Sequence, residues 1–259
     1  MVQPPERLVL LGASNLTRGF AALVKLARAR AGGPIEVFGA LGHGRSYGID
    51  SSILVRGLPG ILSSGLWEAL AARPPAPMRA WITDVGNDVL YDVPVPTILE
   101  WVGACASRLR RLGSQVTLTD LPLFTIERLS RARFLFFRTL FVPACRLSLA
   151  QVIDRSMALN EGLLSLARAE SHALIRLRPE WYGLDPIHIR RHFWRDAWSE
   201  ILGGEPPGRD PSRADSSSRA LSAPRLYLAQ PERRTLMGIE QRSPQPAVRA
   251  EDGTSIWLY

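Results

Sequence analysis

The chain is poor in the residues that most often announce a function. Lys25 is the only lysine among 32 basic residues, and the 259 positions include 2 cysteines and 4 histidines. Two cysteines, Cys105 and Cys145, are too few for a disulfide framework and lack the spacing of metal ligands. Both sit among apolar residues, where reduced, buried thiols are the usual outcome. No apolar run approaches the length that crosses a bilayer. The first eleven residues hold too short an apolar segment for a secretory signal and no small-residue cleavage site, so the expected location is cytoplasmic. The stretch Gly12 to Gly19 lacks the Gly-Lys-Ser/Thr ending of a phosphate loop and the glycine spacing of a dinucleotide fingerprint. The Gly-x-Ser-x-Gly elbow of α/β-hydrolases also fails, because Leu16 stands at its last position.

What is present describes a globular protein. With 46% hydrophobic and 22% charged residues, the chain has ample material for one core domain with extensions. The net charge of +8 raises the question of a nucleic-acid partner. The arginines are scattered, however, with no dense run and no interleaved aromatic residues, so no nucleic-acid partner is expected. Oligomeric state is left open.

Hydrophobic patterning alternates strands with helices. Arg7 to Leu11 reads as a short buried strand, followed by a helix from about Leu16 to Ala31 that Gly32-Gly33 stops. Ile35–Ala40 is a second strand, opening into the glycine-rich loop 41–48. A helix over about 60–72, a strand from Met78 to Asp84 and a helix from Pro96 to Arg111 follow. Gln115–Asp120 is a fourth strand. A helix over 152–169, a strand over 173–177 and a helix over 189–202 complete the core. Alternation with connections of this length means a parallel sheet covered on both faces. The expected organisation is therefore an α/β domain over 1–204, a flexible linker over 205–223 and a small β-hairpin appendage over 224–259. In the appendage, 225–228 and 247–259 look strand-like, and Asp252-Gly253 is a hairpin signal.

Residues 121–148 interrupt the core pattern as a helical insertion. The stretch from Phe134 to Val142 within it holds four of the eight phenylalanines, apolar around more than one helical face. The insertion reads as an extra core helix, or as a lid or acyl-binding wall. Contact with an anionic membrane surface through its flanking arginines is a weaker third reading.

Four loops leave the carboxyl ends of the proposed strands, the edge where reacting groups collect in open α/β sheets. They carry Ser14, Gly42-His43-Gly44, Gly86-Asn87-Asp88, and Asp185-Pro186-Ile187-His188. Ser14 by itself could be no more than a helix cap. The four together supply what acyl transfer requires. A serine hydroxyl needs a base, which His188 can be near neutral pH. Asp185, three residues earlier, can orient that imidazole and support its charge. The N–H groups of Ser14 and Gly44 and the amide of Asn87 could receive the developing oxyanion. His43, Asn15 and Asp88 are candidate substrate contacts. Asp84 and Asp120 read as structural acceptors for neighbouring loops. His188 and His192 at helical spacing could ligate a metal with Asp185, but no third nitrogen or sulfur ligand is placed to help, so no metal is expected.

These residues resemble the blocks of the SGNH hydrolases, the GDSL-type esterases and lipases. The resemblance spans about Arg7 to Leu202 and rests on Ser14 near the N-terminus, Gly44 after the second strand, Gly86-Asn87-Asp88 after the third, and Asp185 with His188 near the end of the core. It implies a three-layer α/β/α fold with a flavodoxin-like, parallel five-stranded sheet ordered 2-1-3-4-5. It also implies a Ser14–His188–Asp185 triad, an oxyanion hole of Ser14, Gly44 and Asn87, and hydrolysis of a small-molecule ester without metal or organic cofactor. The chain departs from the pattern at Ala13, where the family has an acidic residue, and in Ile-Arg-Arg-His after His188. Gly42 is nearly as good as Gly44 by spacing. A non-catalytic binding or interaction protein on the same fold is the alternative reading.

Overall fold

The computed structural model describes residues 4–53, 55–204 and 221–259, with the side chains of 140 and 141 left aside. In chain order the core begins with β1 (Glu6–Leu11), α1 (Ser14–Ala31) and β2 (Ile35–Ala40). A hairpin of β3 (Ser51–Ile53) and β4 (Arg56–Leu58) follows, then α2 (Leu66–Ala71), β5 (Met78–Ile82), α3 (Asn87–Leu90), α4 (Val95–Arg111) and β6 (Gln115–Thr119). The second half holds α5 (Leu123–Ile126), α6 (Arg131–Phe141), α7 (Leu149–Ala169), β7 (Ala173–Ile175) and α8 (Trp194–Ile201). The chain ends with α9 (Ala223–Leu228), β8 (Arg233–Leu236), β9 (Ile239–Arg242), β10 (Val248–Arg249) and β11 (Ser255–Leu258).

The fold is α/β, with a mostly parallel central sheet between layers of helices. Side chains alternate across a strand, and β1 shows the consequence. Val9 and Leu11 join the core under α4 and α7, while Leu8 and Leu10 join the core under α1 and α8. All four are fully buried, which is why this strand reads as a continuous apolar run. In α1 the residues Leu16, Phe20, Leu23, Val24 and Ala27 form the buried stripe, and Gly32 ends the helix in the left-handed conformation.

Five parallel strands run β2-β1-β5-β6-β7, but the sheet does not stop there. It has seven strands, ordered β10-β11-β2-β1-β5-β6-β7, so the expected count of five is corrected: part of the C-terminal segment expected as an appendage extends the sheet. β11 lies parallel to β2, with Ser255 opposite Glu36 and Leu258 opposite Gly39. Every residue of β11 is buried, and the Trp257 ring stacks on Phe38 at 4.6 Å. Covering the edge of β2 satisfies backbone groups that would otherwise face solvent. β8 and β9 pair instead with the β3–β4 hairpin in a second, four-stranded sheet. The linker expected over 205–223 lies outside the described residues for 205–220, and Leu221 is fully buried. Residues 225–228, expected as a strand, belong to helix α9, which Pro224 opens from within its first turn.

The helix expected over 189–202 is a short 3-10 turn, Arg191–Phe193, and then α8. Helix α7 starts earlier than its periodicity suggests, at a capping box in which Ser148 and Gln151 serve each other's backbone N–H. In the insertion, α6 is covered on one side only. Phe134 is buried, whereas Leu135 is 40% and Phe136 63% exposed, so its apolar residues are not enclosed on all faces. Among the described residues no helix is long and apolar enough to cross a membrane.

Candidate active site

Strand order reverses direction at β1, with β2 on one side and β5 on the other. The loops leaving the carboxyl ends of β1 and β5 therefore part here and leave a crevice between them. Ala13 precedes α1 without a side-chain cap, and Ser14 is the first helical residue, 8% exposed. The capping is done from the neighbouring strand end. Asp84 accepts from the N–H of Ala13 at 3.0 Å and of Leu16 at 3.1 Å with one oxygen, and from Asn15 Nδ2 at 2.9 Å with the other. The Ser14 hydroxyl is left for another partner.

That partner is His188. Its Nε2 lies 2.9 Å from Ser14 Oγ, and its Nδ1 lies 2.7 Å from Asp185 Oδ2. Asp185 Oδ1 accepts from the N–H of Ile187 at 3.2 Å and of His188 at 3.3 Å, closing the turn that brings carboxylate and imidazole together. Burial alone would raise the Asp185 carboxyl. The hydrogen bond and charge of His188, the Ile187 N–H and Arg18 outweigh it and hold the group below its ordinary value. An ionised Asp185 accepts Nδ1–H, which leaves Nε2 as the acceptor for the serine proton.

The remaining nominated residues are dispersed around this trio. Asn87, at the start of α3, has a buried Nδ2 with no hydrogen-bond partner among the described residues and lines the same cavity as Ser14. Gly44 has φ +63, in the left-handed region that favours glycine, and its carbonyl accepts from Tyr91 Oη. Gly42 has no such backbone demand. Asp88 is fully buried and accepts from Ser46 Oγ and, at 3.0 Å, from the Tyr47 N–H, so it braces the second loop and does not meet substrate. Burial pushes its carboxyl up to about 6 against those two hydrogen bonds. Asn15 lines the cavity, but its Nδ2 hydrogens go to Asp84 and Ile187 O and its Oδ1 takes the Ile189 N–H. His43 borders a different groove, with its pKa lowered by desolvation and then by His188 and Arg18. His192 borders that groove too and packs on Phe193. Among the described residues no cluster of three or more His, Cys, Asp or Glu is arranged to hold a metal ion.

Ser14 and Asn87 open onto a cavity of about 130 Å³. Its walls are apolar, drawn from Leu121, Ile126, Phe134, Phe137 and Val152, with Tyr182 opposite. The insertion thus contributes α5 and α6 to the wall beside the serine.

No family model matches the chain, and no curated protein does. Solved structures do. The chain is similar to the psychrotrophic esterase EstA from Pseudoalteromonas sp., at 13% identity over 75% of this chain and 94% of that one, with a TM-score of 0.47. It is similar to the acetyl xylan esterase AlAXEase, at 13% identity over 75% and 98%, with a TM-score of 0.49. It is also similar to TesA, at 16% identity over 76% and 96%, with a TM-score of 0.45.

Two groups at this edge carry more than the sequence discloses. Asp84 does read as an acceptor for a neighbouring loop, but not as the cap of the serine helix. Its own backbone adopts φ +57, an uncommon choice for a residue with a side chain, at a strand end that meets the turn bearing Ser14. Tyr47 is fully buried, with Oη 2.6 Å from Thr83 O and 3.1 Å from Leu11 O, tying the second loop to the ends of β1 and β5. The only sequence signal for either is a polar residue next to a strand end or inside a glycine-rich loop. Arg45 lies in the same glycine-rich loop as Tyr47. It is fully buried and donates to the carbonyls of Pro59, Leu41 and Tyr259.

Proposed function

We propose that the protein is a serine esterase, an acyl hydrolase that cleaves a carboxylic ester through Ser14, His188 and Asp185. The observation that carries this reading is the pair of contacts on one imidazole, 2.9 Å to Ser14 Oγ and 2.7 Å to Asp185 Oδ2. The resemblance of the four sequence blocks to SGNH hydrolases supports it as well.

In this mechanism Ser14 Oγ attacks the ester carbonyl while His188 Nε2 takes its proton, and Asp185 stabilises the imidazolium. The tetrahedral oxyanion is received by Asn87 Nδ2 and the N–H groups of Ser14 and Gly44. The unpaired, buried state of Asn87 Nδ2 supports its part, since a donor without a partner is costly unless the reaction supplies one. The start of α1 adds to this, because the first N–H groups of a helix have no intrahelical acceptor and favour negative charge. Collapse expels the alcohol with the proton from His188. Water, activated by the same imidazole, then releases the acyl group as a carboxylic acid. No step calls for a metal or an organic cofactor.

The test is an active-site serine phosphonate together with a panel of aryl esters. The expected result is covalent label on Ser14 and ester turnover that the Ser14→Ala variant loses. Wild type and variant both indistinguishable from buffer, with no label on Ser14, would sink the proposal and favour a binding protein.

A further inference from the structure

The loops bearing Gly44 and Asn87 leave β2 and β5, and β1 stands between those two strands in the sheet. No strand pairing therefore ties the two loops to each other. Side chains of α3 do so instead. Asp88, the second residue of that helix, accepts from Ser46 Oγ and, at 3.0 Å, from the Tyr47 N–H. Tyr91, which closes the helix, donates from Oη to the carbonyl of Gly44. Asp88 thus grips the second loop two and three residues past the glycine, whereas Tyr91 grips the glycine itself.

The Tyr91 contact fixes a whole peptide plane. The peptide joining Gly44 to Arg45 is held at both ends, its carbonyl by Tyr91 Oη and its N–H by the Gly42 carbonyl at 3.1 Å. With that plane pinned, the left-handed backbone at Gly44, φ +63, sets where the glycine's own N–H points. The fit leaves no room for a side chain. A Cβ on Gly44 would fall 2.2 Å from Ile53 Cδ1 and 2.8 Å from Tyr91 Oη. Tyr91 also stands four residues after Asn87, one helical turn along the same face. Burial and then Asp88 push its phenol up to about 12, against a hydrogen bond with Ser51, so Oη keeps its proton near neutral pH.

We infer that Tyr91 is a positioning residue for the ester hydrolysis: by holding Gly44 to the helix that carries Asn87, its hydroxyl sets the two donors to converge on one oxyanion. This rests on the serine-hydrolase reading. Donors of this kind act only when already aimed at the developing charge, and a displacement of about 1 Å can cost about a hundredfold in rate. Tyr91 touches neither Ser14 nor His188 in this role. It works through the Gly44 peptide.

The experiment removes the hydroxyl with Tyr91→Phe and compares an aryl ester with its thiono counterpart, in which sulfur replaces the carbonyl oxygen. Sulfur accepts hydrogen bonds poorly, so the ratio of the two rates reads what the oxyanion donors contribute. The expected result is a kcat on the ester about tenfold lower, with KM within about twofold of wild type. The thiono rate should barely move, so the oxygen-to-sulfur ratio falls by the same factor. The pH midpoint of kcat/KM should stay in place, because the His188–Asp185 pair is untouched. Combined with Asn87→Ala, the loss should be less than the product of the two single losses. Tyr91→Met, which fills the ring's space without a hydroxyl, serves if the phenylalanine variant does not fold. An unchanged ester rate overturns the inference. So does a fall shared equally by ester and thiono ester, which would make Tyr91 a brace of the fold alone. Either result leaves Ser14-dependent hydrolysis standing. A wild-type protein with no Ser14-dependent turnover and no phosphonate label overturns the hydrolase reading, and the role of Tyr91 with it.

Discussion

Asp84 accepts the backbone N–H of Leu16 at 3.1 Å, the bond that a side chain at position 13 would make if that position held a capping residue. Ala13 cannot make it. The cap therefore comes from across the sheet, and Asp84 also holds Asn15, whose Nδ2 donates to Ile187 O at 2.8 Å and whose Oδ1 accepts the Ile189 N–H at 2.8 Å. Those two groups flank His188. One carboxylate thus fixes the turn bearing the serine and, through Asn15, the loop bearing the imidazole.

Replacing Asp84 by alanine should weaken both attachments. The expected outcome is a loss of about 1 to 2 kcal/mol in stability, typical of a lost cap. On the proposed mechanism, a fall in kcat accompanies it, because the serine turn and the imidazole loop lose their common anchor. Urea unfolding and steady-state kinetics on one aryl ester check both. A variant with the stability loss and an unchanged kcat would reduce Asp84 to a purely structural cap.

Asn87 allows a cleaner separation of function from structure. Its Nδ2 has no partner among the described residues, so truncation to alanine removes a buried, unsatisfied donor. Stability should hold or rise slightly. If the amide serves the oxyanion, kcat should fall about a hundred- to a thousand-fold with KM nearly unchanged. Thermal melting and ester kinetics on Asn87→Ala decide it, and unchanged kcat would remove Asn87 from the mechanism.

Why some of this could be read in the chain and some could not is a matter of interaction range. Ser14 and Asn87 stand out because each follows a strand end and opens a helix, a pattern visible within a few residues. The Asp185–His188 contact is itself local, three residues apart. Asp84 as the cap of α1 is invisible locally, because helix caps are normally sought at the residue before the helix and this one lies 68 positions away. Pairing of β11 with β2 is long-range in the same way, which is how a strand of the central sheet came to resemble an appendage. For 225–228 the local signal was misleading. Four residues, Arg-Leu-Tyr-Leu, alternate like a strand but are too few to separate a period of 2 from 3.6, and Pro224 was the better guide.

Asp88 should leave a mark on the pH dependence of stability. Burial raises its carboxyl from 3.8 to about 6. Between those values the folded state binds the proton more firmly than the unfolded chain, so stability falls as pH rises. The loss is complete above about pH 6 and amounts to about 3 kcal/mol for two pKa units. Unfolding free energies measured from about pH 4 to about pH 7 for wild type and Asp88→Asn should diverge, with wild type losing more on the way up. Parallel curves would mean that the carboxylate is already ionised at the lower end.

Gly19 and Gly103 should respond oppositely to the same substitution. Both lie inside long helices, where alanine is the better helix former by about 1 kcal/mol. A methyl group on Gly103 in α4 would meet nothing nearer than Leu166 Cδ1 at 3.8 Å, an ordinary contact, so Gly103→Ala should stabilise by up to about 1 kcal/mol. On Gly19 in α1 it would fall 1.8 Å from Trp198 Nε1. That indole is 1% exposed and locked between α1 and α8, so it cannot swing away. Overpacking of this kind costs about 1 to 3 kcal/mol, which outweighs the helix preference. Gly19→Ala should therefore lower the urea midpoint with the slope unchanged, while Gly103→Ala raises it. A Gly19→Ala protein as stable as wild type would mean that α8 shifts freely against the helix carrying Ser14.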